Sequence, residues 1–352
     1  MRKLALVCGL AAGLLASEAS ARVVAGDVAR TAPDTLTIAW SDTGPVDLYE
    51  ADHEGFALKD GHILARDNGT GQFVVNQAGM TRHYFAIVDR HDHQRFDVAE
   101  RLLPLEQGSN FRDIGGYTGA GGRQVRWGLI YRSGAQPMLT PADLAMVHAL
   151  GIGQLVDLRS DEERLVAPTR IDNVPYAAVG YGMMDVMKGA GGTQLHNGAD
   201  VYRNFPTLLA PQLKIIFAHL LHDRTPIAYN CSAGQDRTGF VTAMVLTALG
   251  VDHDTIVTDY HLSTRFRRPE FEMPPIDPAM VAANPGLKMF AGYRARPDWK
   301  TPQPLMDKDG KPFLDGAIAE INARWGSVDA YLEKEAGMGP AQIAQLRRDY
   351  LE

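Results

Sequence analysis

Residues 229–239 read Tyr-Asn-Cys-Ser-Ala-Gly-Gln-Asp-Arg-Thr-Gly, with Cys231 and Arg237 in a Cys-x5-Arg spacing. A loop of this size can turn its backbone N–H groups inward as an anion nest. A helix beginning just behind it adds unsatisfied N–H donors and the positive end of its dipole. Arg237 supplies a planar fork matched to two phosphate oxygens. The same positive field favours the thiolate of Cys231, the attacking form of sulfur. The expected reaction is attack on a bound phosphoryl group, with water then hydrolysing a cysteinyl-phosphate intermediate. Ser232, Ala233, Gly234, Gln235, Asp236 and Arg237 are the expected phosphate-binding residues. The leaving oxygen needs a carboxylic acid within hydrogen-bond reach. Two candidates stand open: Asp236 within the loop, and Asp157 at a strand end, which could instead pair with Arg159 or Arg112. Thr238 is expected to hydrogen-bond the thiolate and help it leave, or else to serve the helix start. This chemistry requires no metal and no cofactor.

Such a loop works only between a strand and a helix. Pro226-Ile227-Ala228-Tyr229 is a short apolar run, and Phe240–Leu249 an apolar helix closed by Gly250. Upstream, Thr140-Pro141-Ala142-Asp143 carries a cap, an early proline and an acid three residues on, which starts a helix. Residues 154–158 predict another strand. Leu213, Ile216, Phe217, Leu220 and Leu221 keep helical spacing. Strands alternating with helices predict an α/β domain with a parallel-rich sheet over 106–352. Before it, Leu36/Ile38/Trp40, Val46/Leu48, Phe73/Val75 and Tyr84/Ala86/Val88 alternate in period two between turn signals. That pattern predicts a small β-sandwich over 22–105, somewhat like a fibronectin type III or immunoglobulin-like module. His53, His83, His91 and His93 fall in this part; His91 and His93 are expected on an exposed turn.

The loop resembles that of the bacterial cysteine-dependent tyrosine phosphatases, whose pattern is His-Cys-x-Ala-Gly-Lys-Asp-Arg-Thr-Gly. Ordered matches extend the resemblance over 105–352: Asn110–Tyr117, Asp157–Glu163, Asp259–Ser263, and Trp325 to Arg347. It implies a tyrosine-phosphatase-like fold and favours Asp236 as the acid. It implies phosphoprotein substrates, phosphotyrosine first, with phosphoinositides or inositol phosphates as the alternative. Two positions depart from the pattern. Asn230 stands for the histidine that tunes the cysteine, and Gln235 for a lysine associated with highly charged head groups. These losses also admit a catalytically impaired phosphate-binding protein.

The chain has 352 residues, a net charge of −7 and two cysteines, Cys8 and Cys231. This is a globular composition, and its acidity argues against a nucleic-acid partner. Met1-Arg2-Lys3, an apolar run and Ala19-Ser20-Ala21 form the layout of a signal peptide, residues 1–21, with cleavage expected after Ala21. The protein is thus expected in the periplasm or outside the cell, without an integral membrane segment and with Cys231 as its lone thiol. Gly180–Phe205 and Arg267–Pro312 are methionine-bearing segments that could flank the substrate. Arg265-Phe266-Arg267-Arg268 and Arg294-Ala295-Arg296 are basic clusters that could attract an anion.

Overall fold

The computed structural model describes residues 25–41, 44–187 and 198–352. The leader with Cys8 and the Gly189–Gly192 run lie outside the described residues.

The first part is antiparallel. Strands β1 (Ala25–Ala32), β2 (Thr35–Ser41), β3 (Val46–Ala51), β4 (His62–Asn68), β5 (Gln72–Asn76), β6 (Tyr84–Asp89) and β7 (Arg95–Ala99) form two sheets, ordered β1-β2-β5 and β4-β3-β6-β7. Period-two alternation sends Leu36, Ile38 and Trp40 of β2 and Val46 and Leu48 of β3 into one shared core with Val28, Phe85, Ile87 and Val98. In β6, Phe85 and Ile87 enter that core rather than Tyr84, Ala86 and Val88. Ala86 and Val88 are buried as well. A strand covered on both faces loses the contrast that marks its inner side. Trp127 helps to cover this sheet, its Nε1 donating to the Asp97 carbonyl at 3.0 Å. His91 and His93 lie exposed in the β6–β7 turn.

The second part holds a five-stranded sheet, ordered β11-β10-β12-β9-β8. Its strands are β8 (Arg112–Asp113), β9 (Ile130–Ser133), β10 (Gln154–Asp157), β11 (Tyr176–Ala178) and β12 (Ile227–Asn230). All neighbours are parallel except β8 on β9. The register sets Asp157 and Ser133 on either side of Asn230, so three strands end together where the Cys-x5-Arg loop begins.

The helices follow in order: α1 (Pro141–Ala149), α2 (Asp161–Val166), α3 (Met183–Met187), α4 (Gly198–Tyr202), α5 (Phe205–Leu208), α6 (Ala210–His222), α7 (Asp236–Leu249), α8 (His253–Phe266), α9 (Pro278–Ala283), α10 (Lys288–Ala291), α11 (Leu314–Trp325), α12 (Val328–Ala336) and α13 (Pro340–Tyr350). Thr140 and Asp143 form the expected capping box of α1. Gly250 closes α7 in the left-handed region, at φ +81°. Leu213, Ile216, Phe217 and Leu220 of α6 pack with the apolar residues of α7 between Phe240 and Leu249 into the main core. No helix among the described residues is long and apolar enough to cross a membrane.

Candidate active site

β12 is buried throughout, and it delivers Cys231 at 1% exposure to the start of the loop. The next three carbonyls are gripped from outside. Ser232 O accepts from Ala135 N at 2.8 Å. The Asn110 amide donates to Ala233 O at 3.0 Å and to Gly234 O at 2.9 Å. Arg132 Nη2 also donates to Gly234 O, at 2.8 Å. In a trans peptide the N–H points opposite to its carbonyl. The N–H groups of Ala233, Gly234 and Gln235 are therefore turned away from these clamps, toward the inside of the loop. They make no hydrogen bond among the described residues, as an anion cradle requires. Gly234 has φ +65°, and a Cβ there would lie 2.6 Å from Ser133 backbone atoms. Only glycine fits that corner.

The clamps themselves rest on a buried charge cluster. Arg112 Nε reaches Asp259 Oδ1 at 3.2 Å, while Arg132 pairs with Oδ2. Tyr117 donates to Asp259 at 3.0 Å, and Ser263 Oγ accepts from Arg112 at 3.0 Å and Arg132 at 3.2 Å. Burial alone pushes the Asp259 carboxyl up, but the two guanidinium charges hold it well below the carboxylate range. Burial, reinforced by Arg132, brings Arg112 down to about 10. At neutral pH two cations face one anion beneath the loop, a net positive field where a phosphate would sit. Asn110, bonded to Arg112 and at φ +56°, joins this cluster to the loop.

Arg237 occupies the first turn of α7 and is held by Glu163. Its Nη1 and Nη2 bond Glu163 Oε2 and Oε1, each at 2.6 Å. Glu163 also accepts from Ser232 Oγ at 2.6 Å and completes a capping box with Ser160 at the start of α2. Burial pushes the Glu163 carboxyl up, yet Arg237 and these hydrogen bonds bring it down to about 2. Tyr181 Oη accepts from Arg237 Nη1 at 2.9 Å. The Nε edge of Arg237 has no partner among the described residues and remains for a ligand.

Residues 103–352 match the model of the tyrosine phosphatase family. The chain belongs to that family. A Cupriavidus necator protein named as a tyrosine-protein phosphatase is 33% identical over 71% of this chain and 88% of its own. The Mycobacterium tuberculosis triple specificity protein phosphatase PtpB is 29% identical over 68% of this chain and 95% of its own. Among solved structures, Pseudomonas aeruginosa TpbA aligns at 18% identity over 38% of this chain and 68% of its own, with a TM-score of 0.22.

The phosphatase brings Cys231, Ser232, Ala233, Gly234, Gln235, Asp236, Arg237 and Thr238 together and leaves Asp157 aside. Asp157 has zero exposure. Its Oδ1 lies 2.9 Å from Arg159 Nε, and its Oδ2 accepts from Arg159 Nη2 at 2.6 Å and from Tyr176 at 2.8 Å. That carboxylate is engaged by Arg159 and Tyr176 on both of its oxygens. Asp236 is partly exposed, and its Oδ1 accepts from Tyr202 at 2.7 Å. Thr238 does not make the expected bond to Cys231: its Oγ1 is buried without a partner among the described residues, an uncommitted donor. Gln235 Oε1 accepts from Arg267 Nη1 at 2.5 Å.

The basic clusters are largely consumed inside the protein. Arg267 pairs with Glu272 at 2.9 Å. Arg268 donates to the carbonyls of Leu105 and Gly108. Arg294 donates to Met273 O at 2.7 Å. Met273 sits in a small core with Val166, Ala167, Leu287 and Phe290, whereas Met184 and Met289 are exposed. Arg132 and Tyr202 carry no signal in the sequence, whereas Asn110 and Glu163 fall in segments that match the family but receive no site role there. For Glu163 a signal exists: Ser160-x-x-Glu163 is a capping box, which fixes that carboxylate at the helix start beside the end of β10.

Proposed function

We propose that this phosphatase hydrolyses phosphotyrosine in proteins through a cysteinyl-phosphate. The carrying observation is the set of three outward-held carbonyls, Ser232 to Gly234, above Cys231 and beside a preset Arg237. Sulfur of Cys231 attacks phosphorus; the S–P bond forms and the P–O(aryl) bond breaks. Asp236 gives its proton to the departing phenolate. Water then attacks phosphorus, Asp236 takes the proton, and the S–P bond breaks to return the thiolate and inorganic phosphate. Thr238 Oγ1, uncommitted among the described residues, is the hydroxyl free to turn and donate to that leaving sulfur. Cys231 is 1% exposed, and a thiol withdrawn from the surface favours a long, flat aryl phosphate. Gln235 in place of the family lysine gives one positive charge fewer, which favours a single phosphate over a polyphosphorylated inositol head group.

Acid quenching during turnover of a radiolabelled aryl phosphate is expected to leave label on Cys231, with Thr238→Val raising the labelled fraction. Phosphotyrosine peptides are expected to outrun phosphoserine peptides and phosphoinositides in kcat/KM by at least about tenfold. Label on another residue would remove the mechanism, and preference for phosphoinositides the substrate.

The reading includes export, with 1–21 removed, a β-sandwich module of fibronectin III or immunoglobulin type over 22–105, and a catalytic domain over 106–352. Two antiparallel sheets with one shared core support the module. The mature protein is expected to begin at Arg22; intact mass of the exported protein checks this, and a mass retaining 1–21 contradicts it.

A further inference from the structure

Asp236 is the first residue of α7, and nothing on its own helix fixes its carboxylate. An acidic side chain in a first turn can swing back onto the free backbone N–H groups of the helix start. Here it is caught from the opposite side. Tyr202, at the end of α4, donates to Asp236 Oδ1 at 2.7 Å. The Tyr202 and Tyr260 hydroxyls lie 2.6 Å apart. A phenol has one hydrogen, and that of Tyr202 goes to Asp236. Tyr260 must therefore donate to Tyr202, which gives the chain a direction: Tyr260 to Tyr202 to Asp236.

Both rings are fully enclosed, at 2% and 1% exposure. Tyr202 packs on Phe205 with centroids 4.7 Å apart and meets Tyr260 edge-on at 6.2 Å. Tyr260 lies against Gly239, where an added Cβ would come within 2.8 Å of its ring. Neither hydroxyl can leave without repacking the core. Burial, with Asp236 adding to it, holds both phenols far above their ordinary titration range, so their protons stay in place at working pH. Oδ1 of Asp236 is then occupied as an acceptor. Oδ2 has no hydrogen bond among the described residues and is the oxygen left to carry the catalytic proton.

We infer that Tyr202, backed by Tyr260, is the positioning residue for the general acid: it holds Asp236 Oδ1 so that Oδ2 faces the leaving oxygen. This rests on the proposed role of Asp236. A misaligned acid hurts poor leaving groups more than good ones, because a stable phenolate departs without a proton. A purely structural defect lowers all substrates alike.

The test measures kcat/KM for 4-nitrophenyl phosphate, phenyl phosphate and a phosphotyrosine peptide. Asp236→Asn is expected to lose about 100-fold on phenyl phosphate and far less on the nitrophenyl ester. Tyr202→Phe is expected to lose about tenfold on phenyl phosphate and the peptide, and about twofold or less on the nitrophenyl ester. The double variant should match Asp236→Asn within about twofold, since the two act as one unit. Vanadate inhibition checks that the loop is intact. If Tyr202→Phe disturbs vanadate binding, Tyr260→Phe carries the test, with a smaller loss of the same slope. An equal loss on all three esters from the tyrosine variants, beside a leaving-group-dependent Asp236→Asn, overturns the positioning role alone. A double variant about tenfold below Asp236→Asn also overturns it. An Asp236→Asn effect independent of the leaving group removes Asp236 as the acid, and this inference with it.

Discussion

Glu163→Gln is expected to lower kcat/KM for a phosphotyrosine peptide by about 100- to 1,000-fold and to destabilise the fold by about 3–5 kcal/mol. Glu163 makes both of its bonds to Arg237 at 3% side-chain exposure. Glutamine would aim an N–H₂ at a guanidinium that has only donors, leaving a buried cation without its anion. The freed Arg237 fork would lose the orientation that presents its Nε edge to phosphate, a loss felt in the transition state. The pH dependence separates this from a general packing defect. The Glu163 carboxyl is brought from the ordinary 4.5 down to about 2 in the fold. A depressed carboxyl contributes stability that is complete above its unfolded value and lost as pH falls toward its folded one. That shift corresponds to about 3 kcal/mol, present above roughly pH 4.5 and fading toward pH 2. Urea unfolding at pH 7 should therefore show the full gap between wild type and Glu163→Gln, and the gap should close on acidification. A gap unchanged down to pH 3, or one below about 1 kcal/mol at pH 7, would count against the ion pair.

Where spacing along the chain equals the mechanism, the sequence reveals the site. Cys231 and Arg237 lie in one short loop, and the strand before and helix after are both strongly apolar, so local pattern suffices. Asp157 shows the limit. A carboxylate at a strand end is equally suited to acid catalysis and to anchoring an arginine, and only the position of Arg159 and Tyr176 decides. The clamps under the loop come from far away in sequence: Asn110, Arg132 and Asp259 converge through sheet register and the packing of α8. Asn110 and Asp259 stand in segments that carry the family resemblance, but no period or spacing says that they meet Arg132 beneath the loop. β6 was legible as a strand but not as to face, because the chain covers both of its sides. Likewise the arginine clusters gave no warning that carbonyls and Glu272 would consume them. Sequence shows charge, but not the partner that cancels it.

Arg82 is the case where that blindness matters most, and Arg82→Met is expected to destabilise the protein by about 3–5 kcal/mol. In the sequence it is an arginine in a polar Thr-Arg-His turn before β6. In the structure its side chain is 6% exposed and reaches out of the N-terminal sheets into the second part of the chain. It meets Asp113 Oδ2 at 2.5 Å and the Tyr131 hydroxyl at 2.6 Å, with its guanidinium over the Tyr84 ring. Asp113 has zero exposure, and its other donors are the backbone N–H groups of Gly115 and Gly128. Methionine would leave that carboxylate buried with no counter-ion. Adding Asp113→Asn should recover about half of the loss, since a neutral amide costs less to bury than an unpaired charge. Asp113 and Arg112 are adjacent on the two-residue β8, and Arg112 serves the cluster beneath the loop. The anchor of the N-terminal part is thus one residue away from the support of the site. A single unfolding transition is expected for the whole protein, shifted down by several degrees in Arg82→Met. Calorimetry checks both points. Two separate transitions in the wild type, or an Arg82→Met loss below about 1 kcal/mol, would mean that the buried pair does not bind the two parts into one cooperative unit.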